Sequence, residues 1–176
     1  RSGMAGRIRL VYANFDDGMI APHEQPWTWH NGLGVPWPAR DEFEVGCTYE
    51  HAGYFLTWLC SFFGPVQRMT GFASTQVEDK GIPVDSMAPD FTVGCLEFRE
   101  EVVARVTCGL VAPKDKSLLL VGDAGILSVE NLRDDYGAVW FEPRHLPRRS
   151  LRMQAGLRRL QRLLPAFVPK RLRRPV

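Results

Sequence analysis

The sequence predicts an α+β domain, an open and predominantly antiparallel β-sheet packed against one long helix over residues 48–63. Three observations carry that expectation. Short β-branched and aromatic segments follow one another across polar or glycine turns. A single apolar segment has helical spacing. The charge divides the chain, because residues 144–176 hold 11 Lys and Arg and no acid, leaving 11 bases against 20 acids in residues 1–143. We therefore expect an acidic body, 1–143, and a basic tail, 144–176.

The first predicted strand is 7–15, RIRLVYANF, with Ile8, Leu10 and Tyr12 on one face. Residues 16–43 are rich in Pro and Gly and read as one long irregular loop, a kind of segment that is often functional. The helix over 48–63 places Ala52, Phe55, Leu56, Leu59 and Phe62 or Phe63 at three- and four-residue spacings. Thr48 is a candidate N-cap, and Gly64-Pro65 is a stop signal. Residues 91–98 and 102–111 form a strand pair around Arg99-Glu100-Glu101. Residues 117–121 and 125–129 form a second hairpin around Gly122-Asp123-Ala124-Gly125, and 138–141 adds a further strand. In the tail, Leu151, Ala155, Leu160, Leu163 and Leu164 among arginines make 148–164 helix-compatible.

Apolar residues make up 45% and charged residues 24%, which excludes disorder throughout. No run approaches the about 18 uncharged apolar residues of a membrane span. The Arg-rich start lacks the apolar stretch of a secretory signal. Because the first residue is not Met, the chain is expected to be processed or cut from something longer. The four cysteines, Cys47, Cys60, Cys95 and Cys108, form no C-x-x-C pair. We expect them reduced, with no metal site and a cytoplasmic setting.

Two segments carry candidate chemistry. Glu44-Val-Gly46-Cys47-Thr48-Tyr-Glu50-His51 gathers polar groups at the start of an apolar helix, whose free N–H groups suit an oxygen-rich ligand. His51 titrates near neutrality, and Glu44 or Glu50 is placed to orient it. His51, Glu44, Thr48 and Glu50 are the catalytic candidates. The plainer reading of this stretch is a helix cap with a half-buried histidine. A Cys47–His51 thiol mechanism lacks an orienting third group. The second segment holds three of the five tryptophans, Trp27, Trp29 and Trp37, beside His30 and Asn31. Flat rings with an indole N–H suit the faces and hydroxyls of sugars. Trp27, Trp29, His30, Asn31, Trp37 and Tyr54 are the substrate-binding candidates, although the tryptophans would equally pin a long loop to the body.

The basic tail has the charge of a nucleic-acid arm. Only Phe167 interleaves its arginines, so stacking on single-stranded bases is poorly served. We expect an association element, with neither nucleic acid nor membrane as partner.

GRIRLVYANFDDGMI, GCTYEHAGYFLTWL, MAPDFTVGCLEF, VVARVTC and LLLVGDAGILSV, in that order over about residues 6–142, resemble the C-terminal domain of the Gfo/Idh/MocA oxidoreductases. The resemblance implies the substrate-binding and catalytic-support half of a dehydrogenase acting on a sugar, inositol or related polyol. It also implies NAD or NADP as cofactor, held mainly by an N-terminal Rossmann domain whose fingerprint does not occur here. A homo-oligomer formed through the sheet face is implied as well. The family's helix motif is D-x-G-x-H-x-x-D. With Gly46 on its glycine, Glu44 takes the first acid, Thr48 the histidine and His51 the last acid. Placing His51 on the catalytic histidine instead loses the glycine. The alternative function is a non-enzymatic interaction domain whose basic tail binds nucleic acid or an acidic protein.

Overall fold

The computed structural model describes residues 3–21, 23–144 and 174–175. Strand β1, Ile8–Asp16, is followed by a 3-10 turn at Pro26–Thr28 and by two helices, α1 at Ala39–Val45 and α2 at Cys47–Phe63. Strands β2, Val66–Ser74, β3, Phe91–Phe98, and β4, Val103–Gly109, come next. The chain continues through β5, Leu118–Gly122, β6, Gly125–Val129, β7, Val139–Pro143, and the two-residue β8, Arg174–Pro175. The sheet order is β2-β3-β4-β1-β5-β6-β7-β8. Only the central β1–β4 pair is parallel, with Leu10 opposite Val103 and Phe15 opposite Cys108. The other neighbouring strands run antiparallel. The predicted fold class is therefore the observed one. The helix expected over 148–164 lies outside the described residues.

Helix α2 packs on β4, β3 and β1. Its Phe55 and Leu59 are fully buried against Val11, Ala13 and Phe15 of β1, Leu96 and Phe98 of β3, and Ala104, Val106 and Cys108 of β4. Burying one such side chain contributes about 1.5–3 kcal/mol, so this contact makes the two layers one core. The periodicity that predicts α2 comes from this face. Its N-terminus is capped differently from the expectation. Gly46 is the N-cap, no side chain caps the helix, and the Thr48 hydroxyl is 2.5 Å from that of Thr92. Gly64, at φ 79, closes the helix as predicted.

Helix α1 and strand β2 have no counterpart in the sequence expectation. Within the segment read as a loop, α1 forms by burying Ala39 and Phe43, four residues apart. Seven residues give too few turns for a visible stripe. Strand β2 pairs only with β3, and most of its side chains are exposed. Without a buried face it shows no alternation. In β1 the buried set is Val11, Ala13 and Phe15, not the face of Ile8, Leu10 and Tyr12. That second face, with Val103 and Arg105 of β4 and Leu119 and Val121 of β5, has no layer over it among the described residues.

Candidate functional site

Gly46 joins α1 to α2 at φ 83, where a Cβ would stand 2.6 Å from that of Ala88. Only glycine meets both the positive φ and the close approach. The joint turns the first residues of α2 toward the ends of β1 and β4. There the Asp17 N–H donates to the Gly109 carbonyl at 3.0 Å, and Asp16 and Asp115 exchange backbone bonds at 2.9 Å. The carboxylate of Asp17 is thereby fixed in front of His51.

His51 is 4% exposed, and its ring lies 4.4 Å from that of Phe15. Its Nε2 is 3.0 Å from Asp17 Oδ2 and 3.3 Å from Glu50 Oε2. Lys116 Nζ pairs with the other Asp17 oxygen and sits 4.6 Å from the Phe15 centroid. Burial works against a charge on His51, but Asp17 and Glu50 outweigh it and raise its pKa to about 9. Burial likewise opposes ionisation of Asp17, yet hydrogen bonds from His51 and Lys116 bring it down to about 2. His51 is thus an imidazolium at neutral pH, clamped between two acids. Among the described residues, two buried side-chain atoms have no hydrogen-bond partner, His51 Nδ1 and Asp16 Oδ1. Burial, then Asp115 and Asp17, push Asp16 up to about 6.

Asp17, Glu50, His51 and Lys116 line a cavity of about 220 Å³ together with Glu24, Trp29, Trp37, Glu42, Lys114 and Arg133. The Trp29 and Trp37 rings are 5.4 Å apart. They are held by the Trp37 N–H donating to the Trp29 carbonyl at 2.8 Å and by Trp29 Nε1 donating to the Glu24 carbonyl at 3.1 Å. Arg133 lies over Phe15 and Tyr54 at 5.8 and 5.5 Å. The arrangement offers two aromatic walls and both signs of charge, which suits a hydroxyl-rich ligand.

Of the sequence candidates, the structure brings His51, Glu50, Trp29 and Trp37 to this cavity, with Tyr54 stacked on Phe15 beside it. It sets the others elsewhere. Glu44 accepts the Asp85 N–H at 3.2 Å. Thr48 borders an apolar groove between α2 and β2–β3. The Trp27 ring packs against Gly81, where a Cβ would run into it. Asn31 Oδ1 accepts from Leu33 N and Val35 N in a turn, and exposed His30 sits 2.9 Å from the Thr28 carbonyl. Cys47 is buried, and that burial raises its thiol to about 11, so it is no thiolate. Sequence reasoning missed Asp17, Lys116, Glu42 and Arg133. The available signal was the Asp16-Asp17 pair ending a strand; the partners across the fold had none.

Among the described residues no group of three or more His, Cys, Asp or Glu is placed to hold a metal ion. No helix among them is long and apolar enough to cross a membrane.

A helix start and strand ends enclose this charged, tryptophan-walled cavity. Residues 1–128 match the model of the GFO/IDH/MocA C-terminal domain, and the chain belongs to that family. No curated protein matches the sequence. Among solved structures, an NAD binding oxidoreductase from Klebsiella pneumoniae is 14% identical with a TM-score of 0.62, covering 84% of this chain and 39% of its own. An inositol dehydrogenase homolog complexed with NAD+ from Azotobacter vinelandii is 15% identical with a TM-score of 0.58, covering 82% and 36%. The WlbA dehydrogenase from Bordetella pertussis, in complex with NADH and UDP-GlcNAcA, is 17% identical with a TM-score of 0.54, covering 83% and 41%. This chain therefore spans about two-fifths of those proteins, and they share its fold.

Proposed function

We propose that this domain is the substrate half of an NAD(P)-dependent oxidoreductase acting on a sugar, inositol or related polyol. The observation that carries the reading is the His51–Asp17–Lys116 cluster opening onto the Trp29–Trp37 walls. The rings would take an apolar sugar face, and the charged groups its hydroxyls. Asp17 and Glu50 fix His51, so His51 acts by holding the two acids in place as well as by its own charge. The uncovered sheet face, with Leu10, Tyr12, Val103 and Leu119, would take a second copy of the chain.

The start of α2 does not fit a dinucleotide. The glycine at the start of α2, Gly46, abuts Ala88 and Pro89 and leaves no cradle for a pyrophosphate. Calorimetric titration of this chain with NAD or NADP is expected to show no binding, and micromolar affinity for either would overturn that assignment.

The polyol reading is tested by tryptophan fluorescence of this chain, titrated with myo-inositol and UDP-N-acetylglucosamine. A saturable change with at least one probe, weakened about tenfold or more in His51→Asn, is expected from the loss of a charge-assisted contact network. No response to either probe, or an equal response in the variant, would count against it.

A further inference from the structure

We propose that Arg133 makes the cavity selective for an acidic ligand: its guanidinium, held on the Phe15 and Tyr54 rings, binds a carboxylate or phosphate group carried by the sugar or polyol. This rests on the functional reading above and deepens it by naming the charge of the substrate. Arg133 lines the cavity. Among the described residues its guanidinium meets the two rings, at 5.8 and 5.5 Å from their centroids, and pairs with no carboxylate.

The turn after β6 puts it there. The Leu132 N–H donates to the Lys116 carbonyl at 2.9 Å, and the Arg133 N–H donates to Asn131 Oδ1 at 3.0 Å. The Phe15 and Tyr54 rings are stacked, 5.5 Å apart and 12° from parallel, so they offer the guanidinium one platform. The ring faces attract the cation and leave its N–H donors to another partner. The side chain is thus placed while its hydrogen-bonding edge is unused.

The charges around the cavity leave this cation over. His51 Nε2 is 3.0 Å from Asp17 and 3.3 Å from Glu50, and Lys116 holds the other Asp17 oxygen. Those two acids are committed. Glu24 and Lys114 share one side of the cavity, since a Cβ on Gly18 would stand 3.8 Å from Glu24 Oε1 and 3.9 Å from Lys114 Cβ, and their opposite charges offset each other. Burial, first, pushes Glu42 up to about 7, so it is only partly ionised at neutrality. Around the Phe15 ring stand His51, Lys116 and Arg133, at 4.4, 4.6 and 5.8 Å. Asp17 and Glu50 balance the first two of these cations and not the third. An arginine fork matches the paired oxygens of a carboxylate or phosphate and binds them bidentately. A neutral hydroxyl offers it one oxygen and no charge.

The experiment is NMR of this chain labelled with nitrogen-15 in arginine and tryptophan. It is titrated at constant ionic strength with glucose, glucuronate and glucose 6-phosphate, which share one ring and differ in the group on the terminal carbon. The Arg133 Nε–H signal is identified by its loss in Arg133→Met; Arg133 is exposed, so this change leaves the core untouched. At least one of the two acids is expected to shift the Arg133 and Trp37 side-chain signals saturably, at about one-tenth or less of the concentration glucose needs. A response to glucuronate alone identifies a carboxylate, and to glucose 6-phosphate alone a phosphate. Read at the indole signals, Arg133→Met should remove the preference, and Arg133→Lys, which keeps the charge but not the fork, should retain only part of it. A preference that survives in Arg133→Met overturns the proposal. So do acids that bind no better than glucose, and glucose binding then leaves the polyol reading standing. Silence from all three probes overturns the proposal as well, while the polyol reading is decided separately by the myo-inositol and UDP-N-acetylglucosamine titrations.

Discussion

Replacing Lys80 by methionine is expected to destabilise the domain by about 3–5 kcal/mol, the usual cost of breaking a buried ion pair by removing one partner. Lys80 and Asp90 are both 2% exposed, and Nζ lies 2.6 Å from Oδ2. The ammonium also donates to the Val77 carbonyl. Asp90 accepts the Gln76 N–H at 2.8 Å and the Val77 N–H at 3.0 Å. The pair therefore ties the chain after β2 to the strand that follows. That segment in turn braces α1, through the Ala88 N–H to the Phe43 carbonyl at 3.0 Å. Without the amine, two backbone N–H groups alone must hold a buried carboxylate. Urea unfolding midpoints report the loss. Changing both residues, Lys80→Met with Asp90→Leu, should recover much of it, because no charge is then stranded. A single-variant loss below about 1 kcal/mol, the size of an exposed pair, would show that the two groups reach water.

Stability should fall as pH rises from 6.5 toward about 9, by an amount on the order of 3 kcal/mol from His51 alone. The folded pKa lies above the unfolded one. The contribution is therefore complete below 6.5 and gone once the imidazolium is lost at about 9. Asp17 behaves in the opposite sense: its contribution is complete above 3.8 and fades as pH falls toward about 2. Glu42 is raised, so it favours the folded state at low pH and loses that effect between 4.5 and about 7, overlapping only the lower edge of the His51 window. Urea midpoints at pH values on either side of the His51 window measure the fall. In His51→Asn the fall over that window should be clearly smaller, with Glu42 contributing what remains. An equal slope in the variant would assign the loss to another group.

Helix α2, the β3–β4 pair and the β5–β6 hairpin were legible in the sequence. Each buries one face along its own length or turns at residues suited to turning. The spacing of Phe55 and Leu59 reports a buried stripe, and Gly122 to Gly125 reports a tight turn. The place of His51 at the start of α2 was legible because the helix itself was. The order of the family segments extended this to the fold class. The elements that escaped were those with little buried face of their own, the single-sided strand β2 and the seven-residue α1.

Tertiary structure alone decided the site. Asp17, His51, Lys116 and Arg133 come from four separate stretches, and the parallel β1–β4 pairing with β5 at the other side of β1 brings them together. It separated Trp29 and Trp37 from Trp27, and His51 and Glu50 from Glu44 and Thr48, although all share the same short segments. Local sequence specifies which residues want burial. Which carboxylate meets which cation depends on strand crossings and on the positive φ of Gly46, and so on contacts between residues that are distant in the chain.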